Sequence, residues 1–247
     1  MSKLTGTIAS VNMTTNLILQ RPSTTVVLAM STDGKIADVK RSPARFSSEA
    51  DQAHLERQVA LADGVLFGAG TLRAYGTTMS ISTPQLLEQR QQQGKPSQPV
   101  QIVCSASAKI DPELRFFQQS VPRWLLTTTT GAEYWQKQAK ETYFERILVS
   151  NATAGVMNWT EALQQLATLG LKRVAVLGGG TLVAALLASD LIDEFWLTVC
   201  PLVLGGTSAP TPVEGSGFLE HQARRLQLLS AQTVGQEVFL HYRLQPR

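Results

Sequence analysis

Val174-Ala175-Val176-Leu177-Gly178-Gly179-Gly180-Thr181-Leu182 passes from an apolar strand into a helix through three consecutive glycines. An earlier stretch, Gly64-Val65-Leu66-Phe67-Gly68-Ala69-Gly70-Thr71-Leu72, has the same layout and also closes on Gly-Thr-Leu. Each places unpaired backbone N–H groups at a helix N-terminus, where the helix dipole favours an anion. Glycine lets a phosphate approach the backbone with no Cβ in the way. Two such turns in one chain point to a ligand with more than one phosphate, such as a dinucleotide. Either turn also works as a plain strand-to-helix connection with no ligand.

Working outward, strand-like and helix-like runs alternate, the pattern of an α/β fold with a largely parallel sheet. Strands are expected over 25–30, 65–67, 100–104, 123–127, 146–149 and 173–177. Helices are expected from about 47, after Gly70, and over 84–93, 132–140, 159–168 and 180–189. Ser48 with Asp51 three residues on reads as a capping-box-like start of the first helix; Leu55, Val59 and Ala62 share a face, and Gly64 ends it. The Gln-rich helix over 84–93 is polar almost all round, so a surface position is expected. The last third changes character: an apolar run at 194–204, a Gly/Pro/Thr/Ser-rich loop at 205–217, then alternating runs at 225–233 and 237–244. Val234-Gly235-Gln236 between those runs predicts an antiparallel hairpin. The expected architecture is a mostly parallel sheet finished by antiparallel strands at one edge. Residues 24–247 are read as one domain and residues 1–23 as a flexible N-terminal arm.

The 247 residues are 43% hydrophobic, enough for a sizeable core, and only 17% charged, which excludes disorder and coiled coil. The net charge of +3 comes from scattered basic residues, so no nucleic-acid groove is expected; a mildly positive field suits a phosphorylated small molecule. Cys104 and Cys200 both lie in apolar runs and read as buried free thiols of a reducing compartment, a single disulfide being the alternative. No stretch has the apolar length of a membrane span, and the N-terminus lacks the layout of a signal peptide. A soluble, cytoplasmic protein is expected. His54, His221 and His241 show no spacing for metal ligation or a triad, so no metal is expected.

A Rossmann site needs G-x-G-x-x-G/A and an acidic residue about 20 positions later. Gly68-x-Gly70 continues to Arg73 and Gly178-x-Gly180 to Val183, so the third small residue is missing twice. A P-loop sequence is also absent. The ordered set Ser31-Thr32-Asp33-Gly34-Lys35-Ile36-Ala37, Gly68-Ala69-Gly70-Thr71, Gly178-Gly179-Gly180-Thr181-Leu182 with Leu191-Ile192-Asp193-Glu194, and Pro201-Leu202-Val203-Leu204-Gly205-Gly206 resembles a known family. It is similar to the reductase domain of bacterial riboflavin biosynthesis, a relative of dihydrofolate reductase. The likeness runs from about Thr24 to Leu244. It implies a three-layer α/β/α fold of dihydrofolate-reductase type, NADPH as hydride donor and a homodimer. The reaction it implies reduces the ribose of a 5-amino-6-(5-phosphoribosylamino)uracil to a ribityl chain.

By that resemblance Gly178, Gly179, Gly180, Thr181 and Leu182 would cradle the pyrophosphate of NADPH. Thr71, with Gly68 and Gly70, would meet the cofactor from the other turn; Ala29, with Ser31 beyond it, would lie along the nicotinamide. Ser105, with Ser107 and Lys109, would meet the adenosine 2′-phosphate, or form an ordinary polar loop; Thr127 to Thr130 would face the adenine half. On the substrate side the candidates are Asp33, Arg45 and Tyr75, Asp33-Gly34 being equally a turn signal. Tyr75 is a candidate proton donor, water being the other source, and an aromatic lining of the pocket is its simpler role. The departures from the resemblance lie on the same side. Leu177 stands where the family has an acidic residue, Val59 and Ser82 stand where it has arginines, and Ala74-Tyr75-Gly76-Thr77 replaces Ala-Asp-[Asp/Asn]-Pro. Neither valine nor serine replaces a planar cation that grips phosphate, so Arg73, Arg45, Arg41 or Lys40 would have to supply the charge. Three functions follow: the riboflavin-pathway reductase, a pterin or folate reductase of altered specificity, and a cofactor-binding protein without catalysis.

Overall fold

Val26 and Val27 at the centre of the first strand are both buried, one on each face of the sheet, so β-branched side chains fill both sides as a doubly covered parallel strand requires. The structure, a computed structural model, describes residues 21–138, 143–153 and 156–246. Its elements in chain order are β1 (Ser23–Ser31), α1 (Glu49–Leu61), β2 (Gly64–Gly68), α2 (Ala69–Tyr75), α3 (Pro84–Gln92), β3 (Val100–Cys104), β4 (Arg123–Thr127), α4 (Thr129–Gln138) and β5 (Arg146–Val149). There follow β6 (Ala152–Thr153), β7 (Val156–Met157), α5 (Trp159–Thr168), β8 (Arg173–Val176), α6 (Gly180–Ala188), β9 (Glu194–Cys200), β10 (Leu226–Val234) and β11 (Glu237–Leu244). Among the described residues nine strands form one sheet in the order β10-β11-β9-β1-β8-β2-β3-β4-β5, and β6 and β7 form a separate small ribbon. Every pairing from β9 to β5 is parallel, and β11 and β10 close that edge antiparallel.

Helices α5 and α6 cover one face, packing Leu163, Leu166, Val183 and Leu186 onto Val26, Leu66 and Val176. Helices α1, α2 and α4 cover the other, with Val59, Leu72 and Trp135 over Val65, Phe67 and Leu125. This is the expected three-layer α/β/α arrangement. Its crossovers set the position of the site. The chain leaves β1 and β2 toward one face and leaves β8, which lies between them, toward the other. Open α/β sheets bind ligands at such a reversal, outside the carboxyl ends of the strands. Here that point is the end of β8, where the three glycines lie.

Ser48 caps α1 as read, its hydroxyl accepting from Asp51 N–H at 3.2 Å. Other boundaries moved for local reasons. Gly64 does not end α1: Ala62 is the C-cap and Gly64 opens β2, where a Cβ would meet Leu171 Cδ2 at 2.6 Å. β9 stops at Cys200, before Pro201, rather than continuing to 204. α4 starts at Thr129, and the expected end of that helix at 140 lies outside the described residues. The polar α3 is not wholly a surface helix. Arg90 is 1% exposed and donates to Ala60 O, Ala62 O and Pro96 O at 2.8, 2.7 and 2.8 Å, satisfying carbonyls at the end of α1. Of the arm expected over 1–23, residues 1–20 lie outside the described residues. Arg21 forks onto Asp193 at 2.8 and 2.7 Å, and Ser23 already belongs to β1.

Candidate active site

Gly68 N–H donates to Gly178 O at 2.9 Å, and Leu177 N–H to Leu66 O at 2.9 Å. The two glycine turns are therefore hydrogen-bonded neighbours at the carboxyl ends of β2 and β8 and share one crevice. A Cβ on Gly179 would come 3.6 Å from Thr71 Oγ1, and one on Gly68 would come 3.8 Å from Gly179 N. The Gly178–Gly179 peptide is cis, and Gly178 has φ +94° with Leu28 Cδ2 3.2 Å from its Cβ position. Neither α2 nor α6 has a side-chain N-cap, so their opening amides face the crevice with no side chain of the cap residue over them. A Cβ on Gly70 would meet nothing within 4 Å, which leaves the backbone open to a phosphate. These residues fit the anionic half of a dinucleotide.

The remaining candidates have definite places. Ala29 lies on β1 in register with Thr198 of β9. Ser31 is buried, donates to Asp33 Oδ1 at 2.6 Å and accepts from Lys35 N–H at 2.9 Å. The Asp33 carboxylate also accepts from Leu204 and Gly205 N–H at 3.1 and 2.7 Å; these hydrogen bonds, that from Ser31 foremost, hold its pKa down at about 2. Ser31 and Asp33 thus join the segment after β1 to the segment after β9. The Tyr75 hydroxyl accepts from Ala44 N–H at 2.9 Å and lies 3.2 Å from Ala44 O, and burial raises its pKa, so it pins the chain ahead of α1. Arg45, next to that contact, is exposed.

Ser105 follows Cys104, the register partner of Gly68, so it lies one strand over from the turns. Its carbonyl accepts from the Thr127 hydroxyl at 2.6 Å. Thr128 donates to Ala106 O at 2.8 Å and accepts from Gly131 N–H at 3.2 Å, so both hydroxyls hold the loop and the start of α4. Thr181 gives its hydroxyl to Glu214 Oε2 at 3.0 Å.

Some polar residues here were invisible in the sequence. Glu237 and Asp51 are both buried at the open end of β9 and α1. Glu237 accepts from Ser48 N–H at 2.8 Å and from its hydroxyl at 2.5 Å, with Cys200 Sγ at 3.4 Å. Burial raises the Asp51 pKa, opposed by hydrogen bonds to Thr198 and Ser47. Burial also pushes both thiols up to about 12, and both cysteines are free. His54 packs 4.6 Å from Trp196 with Nε2 unpartnered, and burial lowers its pKa to about 4, so it is neutral. Among the described residues no group of three or more His, Cys, Asp or Glu is placed to hold a metal, and no helix is long and apolar enough to cross a membrane.

Residues 22–240 match the RibD C-terminal domain. The chain belongs to that family. A relative from Archaeoglobus fulgidus, named 2,5-diamino-6-ribosylamino-4(3H)-pyrimidinone 5′-phosphate reductase, is 28% identical over 81% of this chain and 90% of its own length. A pyrimidine reductase-like protein from Corynebacterium diphtheriae superposes with a TM-score of 0.76 at 20% identity, covering 92% of this chain and 93% of that one. Dihydrofolate reductase from Enterococcus faecalis shares the fold at a TM-score of 0.51 and 11% identity, over 91% and 97% of the two chains. Membership of the RibD family makes this chain an oxidoreductase of the riboflavin-biosynthesis group.

Its departures from the RibD pattern now have physical form. Val59 is 0% exposed and belongs to the core between α1 and the sheet. The backbone and hydroxyl of Ser82 both bind Glu56 Oε1, at 2.6 and 3.1 Å, and Thr83 binds the same carboxylate at 2.8 and 2.7 Å. Those donors hold the Glu56 pKa down at about 2 against a desolvation that raises it. Val59 thus belongs to the apolar core, and Ser82 serves an internal carboxylate.

Proposed function

We propose that this chain is an NADPH-dependent reductase that converts the ribosyl group of a 6-ribosylaminopyrimidine 5′-phosphate to ribityl. The observation that carries this reading is the 2.9 Å hydrogen bond from Gly68 to Gly178, which makes one crevice of two phosphate-type turns in a RibD-family fold. When bound, the cofactor supplies the hydride; the chain supplies position. The amides of Gly179 and Gly180 at the start of α6 would hold the pyrophosphate, and Thr71 would reach it from the facing turn. Ala29, small and at the carboxyl end of β1, leaves room for a flat ring. Asp51 and Glu237 put acceptor groups at the same end of the sheet, suited to ring N–H and amino groups. We assign the chain to the cytoplasm on its two free thiols, and a homodimer through the hairpin of β10 and β11, where Leu226 and Leu228 are exposed.

A second reading, a pterin or folate reductase, is favoured by one finding: the positions of both family arginines are occupied by Val59 in the core and by Ser82 on Glu56. Consumption of NADPH at 340 nm with the purified chain separates the two. Turnover with the ribosylaminopyrimidine phosphate and none with 7,8-dihydrofolate supports the first reading, and the reverse pattern replaces it. No nicotinamide fluorescence change on titration with NADPH refutes both.

A further inference from the structure

Glu214 lies in the long segment between β9 and β10 and had no role in the sequence reading. Its backbone N–H donates to Gly180 O at 3.2 Å, and its carboxylate accepts from the Thr181 hydroxyl at 3.0 Å. The other carboxylate oxygen is 2.7 Å from Arg41 Nη2. Arg41 comes from the segment between β1 and α1, has φ +58°, and its side chain is 60% exposed. One carboxylate therefore ties three separate pieces of chain at the first turn of α6, and it carries a guanidinium to the rim of the crevice.

Resting on the NADPH reading above, we propose that Arg41 is the cation that meets the cofactor pyrophosphate, and that Glu214 holds it ready and yields it by partner exchange. The physical grounds are three. Arg41 is 60% exposed and meets Glu214 through Nη2 alone, so it can change partner while Glu214, 19% exposed, keeps its hydrogen bond from Thr181. A guanidinium meets phosphate oxygens through two parallel hydrogen bonds, which a single Nη2 contact to Glu214 does not match. Lys35, in the same segment, has its ammonium 3.5 Å from Ala209 O, whereas Arg41 is held by the carboxylate that binds Thr181 of α6.

The test is equilibrium binding of NADPH, followed by nicotinamide fluorescence, to the wild type, Arg41→Ala, Arg41→Lys, Glu214→Gln and the Arg41→Ala/Glu214→Gln double variant. Arg41→Ala should raise Kd about tenfold, Arg41→Lys should recover part of the loss, and Glu214→Gln should lower Kd about three- to fivefold. Because that gain comes from freeing Arg41, it should shrink below about twofold in the Arg41→Ala background. Thermal unfolding without ligand should place all variants within a few degrees of one another, which keeps loss of folding apart from loss of binding. The exchange is wrong if Arg41→Ala leaves Kd unchanged, if Glu214→Gln weakens binding as Arg41→Ala does, or if the Glu214→Gln gain is the same in both backgrounds. A wild type that fails to bind NADPH at all refutes the cofactor reading and the exchange together, whereas tight wild-type binding with an indifferent Arg41 refutes the exchange alone.

Discussion

Gly-Thr-Leu occurs at 70–72 and again at 180–182, and the two copies meet different physical demands. At Gly180 a Cβ would collide with Thr211 O and lie 2.8 Å from Glu214 Cγ, so glycine is required there because the chain itself crosses over the helix start. At Gly70 a Cβ would meet nothing within 4 Å. Thr181 is hydrogen-bonded to Glu214, while Thr71 Oγ1 lies within 3.6 Å of a Cβ position on Gly179, at the mouth of the crevice. Identical text thus meets close internal packing in one place and open space in the other. Only the residues brought alongside, from 30 to 140 positions away, tell the copies apart.

Substitution can break that contrast. The largest effect expected is from Gly180→Ala, which should cost about 2–3 kcal/mol by overpacking, seen as a fall in Tm of roughly 4–10 °C for a domain of this size. An unchanged melting curve would mean that the 211–214 segment does not bear on α6. Gly179→Leu comes next, with the sign in binding rather than folding. Its φ of −77° suits any residue, so Tm should hold while Kd for NADPH rises at least about tenfold, a loss of roughly 1.4 kcal/mol or more. The two threonines should then divide. Thr181→Ala should lower stability by about 1 kcal/mol through the lost bond to Glu214, and Thr71→Ala should leave the melt alone and weaken NADPH about three- to fivefold. If both threonines act on the same quantity, the distinction between the copies is lost. Gly70→Ala should be the mildest, within about 0.5 kcal/mol in stability, and calorimetry beside Gly180→Ala gives the comparison directly.

The repetitive part of the fold was readable because each strand and helix carries its own signal. β3, β4, β5 and α5 begin and end at the predicted residues; Pro99 and Pro122 stand just before β3 and β4, and Asn158 caps α5 with Gly170 soon after its end. Pairing order across the sheet has no such local signal and is not legible in the sequence. The polar contacts were the other illegible part. Arg90 sits in a Gln-rich helix that reads as solvent-facing, yet it is buried because two carbonyls at the end of α1 and that of Pro96 after α3 need donors, and a guanidinium has enough of them. Ser31, Asp33, Thr127 and Thr128 were read as ligand-facing hydroxyl and acid groups, and in the structure each is engaged by backbone groups at the carboxyl ends of the strands. Loops there must satisfy their own amides and carbonyls, and short polar side chains do it most economically. Glu214 was hidden for the opposite reason: it lies in a Gly/Pro/Thr-rich stretch whose composition gives no periodicity, and only folding places it on α6.

The hydrogen bond between Gly68 and Gly178 has an experimental consequence. Because that amide proton is committed to the other turn, its exchange with deuterated solvent reports the joint opening of both turns, and a ligand that bridges the turns slows it by opposing that opening. Among the described residues the amides of Gly179 and Gly180 have no such backbone acceptor, and an anion seated against them would slow their exchange further. A single labelled sample therefore reports opening of the paired turns at one amide and direct shielding at its neighbours, without any catalytic turnover.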